Sequence, residues 1–135
     1  MAHATPADLE SVPLFASLAD SDRVAIAPWF DIREASSGEH LVDGGSTEDR
    51  FFFVIKEGEV SVTGLGHTIA SLGPGEFFGE MALLGYGQHI ATVKAPSRAR
   101  LLVLSSGDFD RLRADYPGVA AEIEAVMQRR LDQLS

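Results

Sequence analysis

Residues 32–104 are punctuated by Gly38, Gly44, Gly45, Gly58, Gly64, Gly66, Gly73, Gly75, Gly79, Gly85 and Gly87. Glycine weakens a helix interior and favours turns, so this stretch is cut into pieces too short for helices but long enough for strands. Several short strands at such spacing pack as a barrel, roll or sandwich. Within residues 50–56, Phe51, Phe52, Phe53, Val54 and Ile55 are all apolar, which predicts a strand covered on both faces. Glu57-Gly58 then reads as a hairpin turn into a strand where Val60 and Val62 share one face.

The ends of the chain have a different period. Residues 9–30 place Leu9, Val12, Leu14, Phe15, Leu18, Val24, Ile26 and Trp29 at helical spacing, with a cap at Asp20 or Ser21 and a stop at Pro28. Residues 107–116 read as a second helical stretch, succeeded by a break at Pro117-Gly118 and a helix from Val119 to Leu134. On that last helix Val119, Ile123, Val126, Met127, Arg130, Leu131 and Leu134 form a stripe. The stripe covers the roll, a ligand, or a partner: a second copy or an effector protein. The expected organisation is one domain: a helical lead-in over residues 1–30, a β region over 31–105 and helices over 107–135. The fold class is α+β, mainly β.

Composition narrows the functions. The 45% hydrophobic and 23% charged residues describe a chain that folds unaided. A formal charge of −9 repels nucleic-acid phosphates and anionic membranes, although a nest of backbone N–H groups can still hold a small anion. With no cysteine there is no disulfide, thiolate metal site or thiol catalysis. Residues 1–15 lack the pattern of a signal peptide and no apolar run reaches membrane-spanning length, so the expected location is the cytoplasm. The four histidines, His3, His40, His67 and His89, form no His-x-His pair, and no nucleophile elbow or phosphate loop with its lysine occurs. The chain is therefore not read as an enzyme, and no metal or cofactor is required.

The most informative stretch is residues 75–95. A Gly73-Pro74-Gly75 turn leads through Phe77 and Phe78 to Gly79, and Glu80, Met81, Ala82, Leu83 and Leu84 then favour a short helical turn. The amides at such a helix start can meet an anion. A glutamate there is explained if the ligand also carries hydroxyls for a carboxylate to accept, or if Glu80 caps its own helix.

The order Phe78-Gly79-Glu80-Met81-Ala82-Leu83-Leu84, a short loop, then Ala91-Thr92-Val93-Lys94-Ala95 resembles the phosphate-binding cassette of cyclic-nucleotide-binding domains. That family includes the catabolite activator protein, protein kinase A regulatory subunits and gated ion channels. The likeness extends through Gly38, Gly45, Gly58 to Val62 and the turn before Phe77. It implies an antiparallel β-roll, jelly-roll-like in the manner of a double-stranded β-helix, flanked by N-terminal helices and C-terminal lid helices. It implies further that Glu80 accepts a ribose 2′-hydroxyl, that Gly79 lets the backbone approach the sugar, and that amides around Ala82 and Leu83 meet the cyclic phosphate. Phe78 and Met81 belong to the same cassette, and Val62, Ile69 and Ala70 sit where the family packs the base.

One departure stands out. The family's cassette has an arginine two positions before the Ala-Thr-Val segment, and here His89 stands there, with Ile90 and Ala91 next in the chain. Histidine lacks arginine's permanent charge and bidentate fork. Loss of one charge-assisted hydrogen bond weakens binding by about ten- to a hundredfold. Cyclic-GMP-selective relatives tend to carry a hydroxyl where Ile90 stands, so the resemblance favours cyclic AMP over cyclic GMP. The readings are a cyclic-nucleotide sensor domain, free-standing or part of something larger, and a roll that no longer binds nucleotide and serves as an interaction module. No basic helix-turn-helix segment that could read a DNA groove is present in these 135 residues.

Overall fold

The computed structural model describes residues 2–42, 51–64, 67–84 and 92–134. The helical lead-in is subdivided into α1 (Pro6–Glu10), α2 (Pro13–Ala16), α3 (Asp20–Ile26) and a 3-10 turn at Ala27–Trp29. Pro6 and Pro13 each begin a helix, where the missing N–H is no loss. Thr5 and Asp8 close a reciprocal capping box on α1. Ala19, rather than Asp20 or Ser21, is the N-cap of α3, and Asp20 is already helical. Arg23 is buried because it does a backbone's work: its Nη1 donates to the carbonyls of Phe15 (3.1 Å), Ala16 (3.3 Å) and Leu18 (2.6 Å), which lie at and just beyond the end of α2.

The strands are β1 (Asp31–Ala35), β2 (His40–Val42), β3 (Phe51–Glu57), β4 (Val60–Gly64), β5 (His67–Leu72), β6 (Phe77–Phe78), β7 (Thr92–Lys94) and β8 (Ala99–Ser105), with α4 (Glu80–Leu83) between β6 and β7. They form two antiparallel four-stranded sheets, ordered β1-β8-β3-β6 and β2-β7-β4-β5. This is the mainly β roll with helices at both ends that the sequence predicts.

Strand β3 lies at the centre of the first sheet, with both faces buried as expected. Phe52 and Val54 point into a core shared with the helices, whereas Phe53 and Ile55 point into the core between the sheets. The expected hairpin after β3 does not form. Both edges of β3 are occupied, by β8 and β6, so β4 has no edge to pair with and joins β5 and β7 in the other sheet. Gly58 makes the crossing at φ 89°, and a Cβ there would stand 2.7 Å from the Arg98 carbonyl oxygen.

After β8 come α5 (Ser106–Asp115) and α6 (Pro117–Leu134). The expected break at Pro117-Gly118 is instead the single residue Tyr116, at φ −128° and ψ 77°. Proline is tolerated in a first helical turn, so Pro117 starts α6 rather than ending anything. Val119 and Ile123 are buried in the helix-side core, Met127 is also buried, and Val126 packs partly against that core. This part of the α6 stripe is therefore turned to the domain itself, with α6 lying against α2, α4 and α5, and Glu122, Glu124, Gln128 and Asp132 face solvent.

Candidate functional site

The site grows from the turn after β5. Gly75 reverses the chain at φ 88°, and β6 then runs beside β3 with Phe53 opposite Phe78 and Val54 opposite Phe77. Phe78 stacks on Phe53 with centroids 4.7 Å apart and planes 9° from parallel, while Phe77 packs on Phe52 at 5.3 Å. These contacts on both faces hold the two-residue strand and fix the position of the turn into α4.

Gly79 makes that turn at φ 93°, as the N-cap of α4. Its missing side chain has an internal cause: a Cβ would stand 2.3 Å from the carbonyl oxygen of Phe51. The missing side chain thus brings the backbone of the turn close against β3.

Glu80 opens α4 and is only 2% exposed. It does not cap its own helix. Its Oε1 accepts from Nη1 of Arg130 at 2.5 Å, and Arg130 reaches it from α6. Nη2 of the same arginine donates to the Phe77 carbonyl at 2.6 Å, and the guanidinium carbon lies 5.0 Å from the Phe77 ring centroid. Oε2 of Glu80 is buried with no hydrogen-bond partner among the described residues. A buried carboxylate oxygen with unused acceptor capacity suits a hydroxyl donor.

The other predicted positions divide. Phe78, Gly79 and Glu80 are consecutive on β6 and α4, and the backbones of Met81, Ala82 and Leu83 form that helix. The Leu83 side chain packs against the helix-side core, so any part it takes in a site runs through its amide. Val62 is opposite Ala70 on β5 and Val93 on β7, and packs against the inter-sheet core. Register then slips so that Thr63 faces Thr68, which places Ile69 in a β-bulge. His89, Ile90 and Ala91 lie outside the described residues. Sequence reasoning placed Arg130 only in the α6 stripe. The one signal for its role was a cation among apolar positions.

Likeness to known proteins decides the family. The sequence profile described as "Cyclic nucleotide-binding domain" matches residues 32–116. The chain belongs to the cyclic nucleotide-binding domain family. It is 40% identical over 110 residues to a cyclic nucleotide-gated potassium channel of Mesorhizobium japonicum, covering 82% of this chain and 30% of the channel. Among solved structures, the Thermus thermophilus catabolite activator protein superposes with a TM-score of 0.78 at 33% identity, over 90% of this chain and 59% of that one. The regulatory domain of Toxoplasma gondii PKA, co-crystallised with cAMP, shares the fold with a TM-score of 0.76 at 19% identity, over 95% of this chain and 48% of that one. The chain thus spans less than a third of the channel's length. Among the described residues no helix is long and apolar enough to cross a membrane, and no cluster of three or more His, Asp or Glu residues could hold a metal ion.

Proposed function

We propose that this cyclic nucleotide-binding domain is a regulatory sensor that takes cyclic AMP in preference to cyclic GMP, binds without catalysis, and acts in the cytoplasm as one ligand-binding unit. The observation that carries the reading is Glu80, a buried carboxylate beside a short helix start whose Oε2 has no partner among the described residues. The ribose 2′-hydroxyl donates to Oε2, the amides around Ala82 and Leu83 meet the cyclic phosphate, and Val62, Ile69 and Ala70 pack the base. Phe78, Gly79 and Met81 shape the turn that presents these groups. His89, Ile90 and Ala91 complete the cassette in sequence, with His89 a weaker phosphate ligand than arginine. Since α6 reaches the cassette through Arg130, occupancy of the site acts on the position of α6 and through it on an effector or a second copy.

The test is calorimetric titration with cyclic AMP and cyclic GMP up to millimolar concentration at pH 6 and pH 7.5, on wild type and His89→Arg. Binding of cyclic AMP, tightened about ten- to a hundredfold by His89→Arg, is the expected outcome. No heat and no thermal shift with either nucleotide in either protein would refute the sensor reading in favour of a non-binding interaction module.

A further inference from the structure

Residues 73–91 contain two glutamates, Glu76 and Glu80, and no lysine or arginine, within a chain of net charge −9. The cassette by itself is therefore anionic, and a buried carboxylate at its centre opposes any anionic ligand. The cation that meets that carboxylate comes from 50 residues further along the chain: Arg130 on α6, at 2.5 Å from Glu80 Oε1. Its second bond, to the Phe77 carbonyl, and its position beside the Phe77 ring hold the guanidinium against the turn that leads into Gly79. These two bonds employ two of the five N–H groups of a guanidinium.

We propose that Arg130 is the positioning residue that admits an anionic ligand to this site, by neutralising Glu80 while leaving Oε2 as the acceptor. The inference rests on the cyclic-nucleotide reading above and adds where the compensating charge resides. In this chain it is on the C-terminal helix rather than within residues 73–91. A consequence is that tolerance for the ligand's charge and seating of α6 on the cassette depend on the same side chain. Displacing α6 leaves a bare buried carboxylate, which repels the anion.

The experiment compares two probes by titration calorimetry: cyclic AMP, and its methyl phosphotriester, which keeps base and sugar but carries no charge. The readout is the ratio of their affinities, so that a general loss of folding or packing cancels. Arg130→Met should lower the preference for the charged probe by about ten- to a hundredfold, the scale of one lost charge-assisted interaction. Arg130→Lys should hold the ratio near wild type, because the charge is retained. The Glu80→Gln/Arg130→Met double variant removes both charges and keeps the fold free of an unpaired buried carboxylate. It should restore the ratio while weakening both probes alike. A ratio unchanged by Arg130→Met in a protein that still melts cooperatively would overturn the proposal and leave the sensor reading standing. If wild type binds neither probe, the sensor reading fails and this proposal with it.

Discussion

Replacing Gly79 by alanine should destabilise the domain well beyond the usual penalty for losing a glycine at positive φ. Gly38 supplies the control. It sits at φ 86°, and a Cβ there would meet nothing within 4 Å. Gly38→Ala therefore carries only the left-handed strain of an L-residue, about 1–2 kcal/mol, partly offset by about 0.4–1 kcal/mol from a less flexible unfolded chain. Gly79→Ala carries the same two contributions at φ 93°, plus a Cβ 2.3 Å from the Phe51 carbonyl oxygen. That oxygen belongs to a strand held by β8 at Phe51 itself and by β6 two residues on, at Phe53, so the backbone cannot yield cheaply. Overpacking of this kind costs about 1–3 kcal/mol. The two variants should thus differ by about 1–3 kcal/mol, or about 3–10 °C in melting temperature for a domain of this size. Urea unfolding monitored by circular dichroism measures both, with equal m-values required for the comparison. Equal stabilities of Gly38→Ala and Gly79→Ala would refute the claim that contact with β3, rather than φ alone, demands glycine at the cassette.

Arg23→Met should lose about 1–3 kcal/mol, because the buried bond to the Phe15 carbonyl is left unmade, whereas Asp20→Ala should change stability by less than about 1 kcal/mol, since Asp20 is 95% exposed in its pair with Arg23. Comparable losses in the two variants, read from urea midpoints, would contradict a carbonyl-capping role. Glu39 has its carboxyl held below the ordinary value of 4.5, first by the Ser36 amide that donates to it and then by Arg33. Its contribution to stability is therefore full above pH 4.5 and is lost as pH falls through the lower folded value. The stability gap between wild type and Glu39→Gln should stay constant from neutral pH to about pH 5 and narrow below 4.5. A gap that widens in acid would reverse the assigned sign.

Much of the architecture is legible in local sequence because the signals are local. Five successive apolar residues at 51–55 announce a strand buried on both faces, and Phe52, Val54, Phe53 and Ile55 divide between the two cores accordingly. Gly79 ahead of a run of helix formers announces the turn and α4, because positive φ and helix propensity belong to individual residues. Where local signals permit two outcomes, tertiary neighbours choose. Glu57-Gly58 suits a hairpin, yet β8 and β6 occupy both edges of β3, so the chain crosses between sheets. Pro117 suits a break or a helix start, and it begins α6 while Tyr116 alone provides the bend.

The candidate site divides the same way. The cassette residues from Phe78 to Leu83 are contiguous, so their order alone conveyed the resemblance that the family match supports. Whether Glu80 caps its helix or waits for a ligand could not be read from that order, since both need an acid at a helix start. The fold decides against the cap by bringing Arg130 across 50 residues to Oε1 and burying Oε2 without a partner among the described residues. Residue order alone specifies short glycine-bounded strands between helical ends, because turn preference and strand burial are properties of short segments, and the order of the cassette residues carries the resemblance that implies the roll. Which charge answers Glu80, and which surface the α6 stripe covers, emerges only in the folded molecule. Those are long-range pairings, set by how α6 packs against α2, α4 and α5, and no spacing within either segment encodes them.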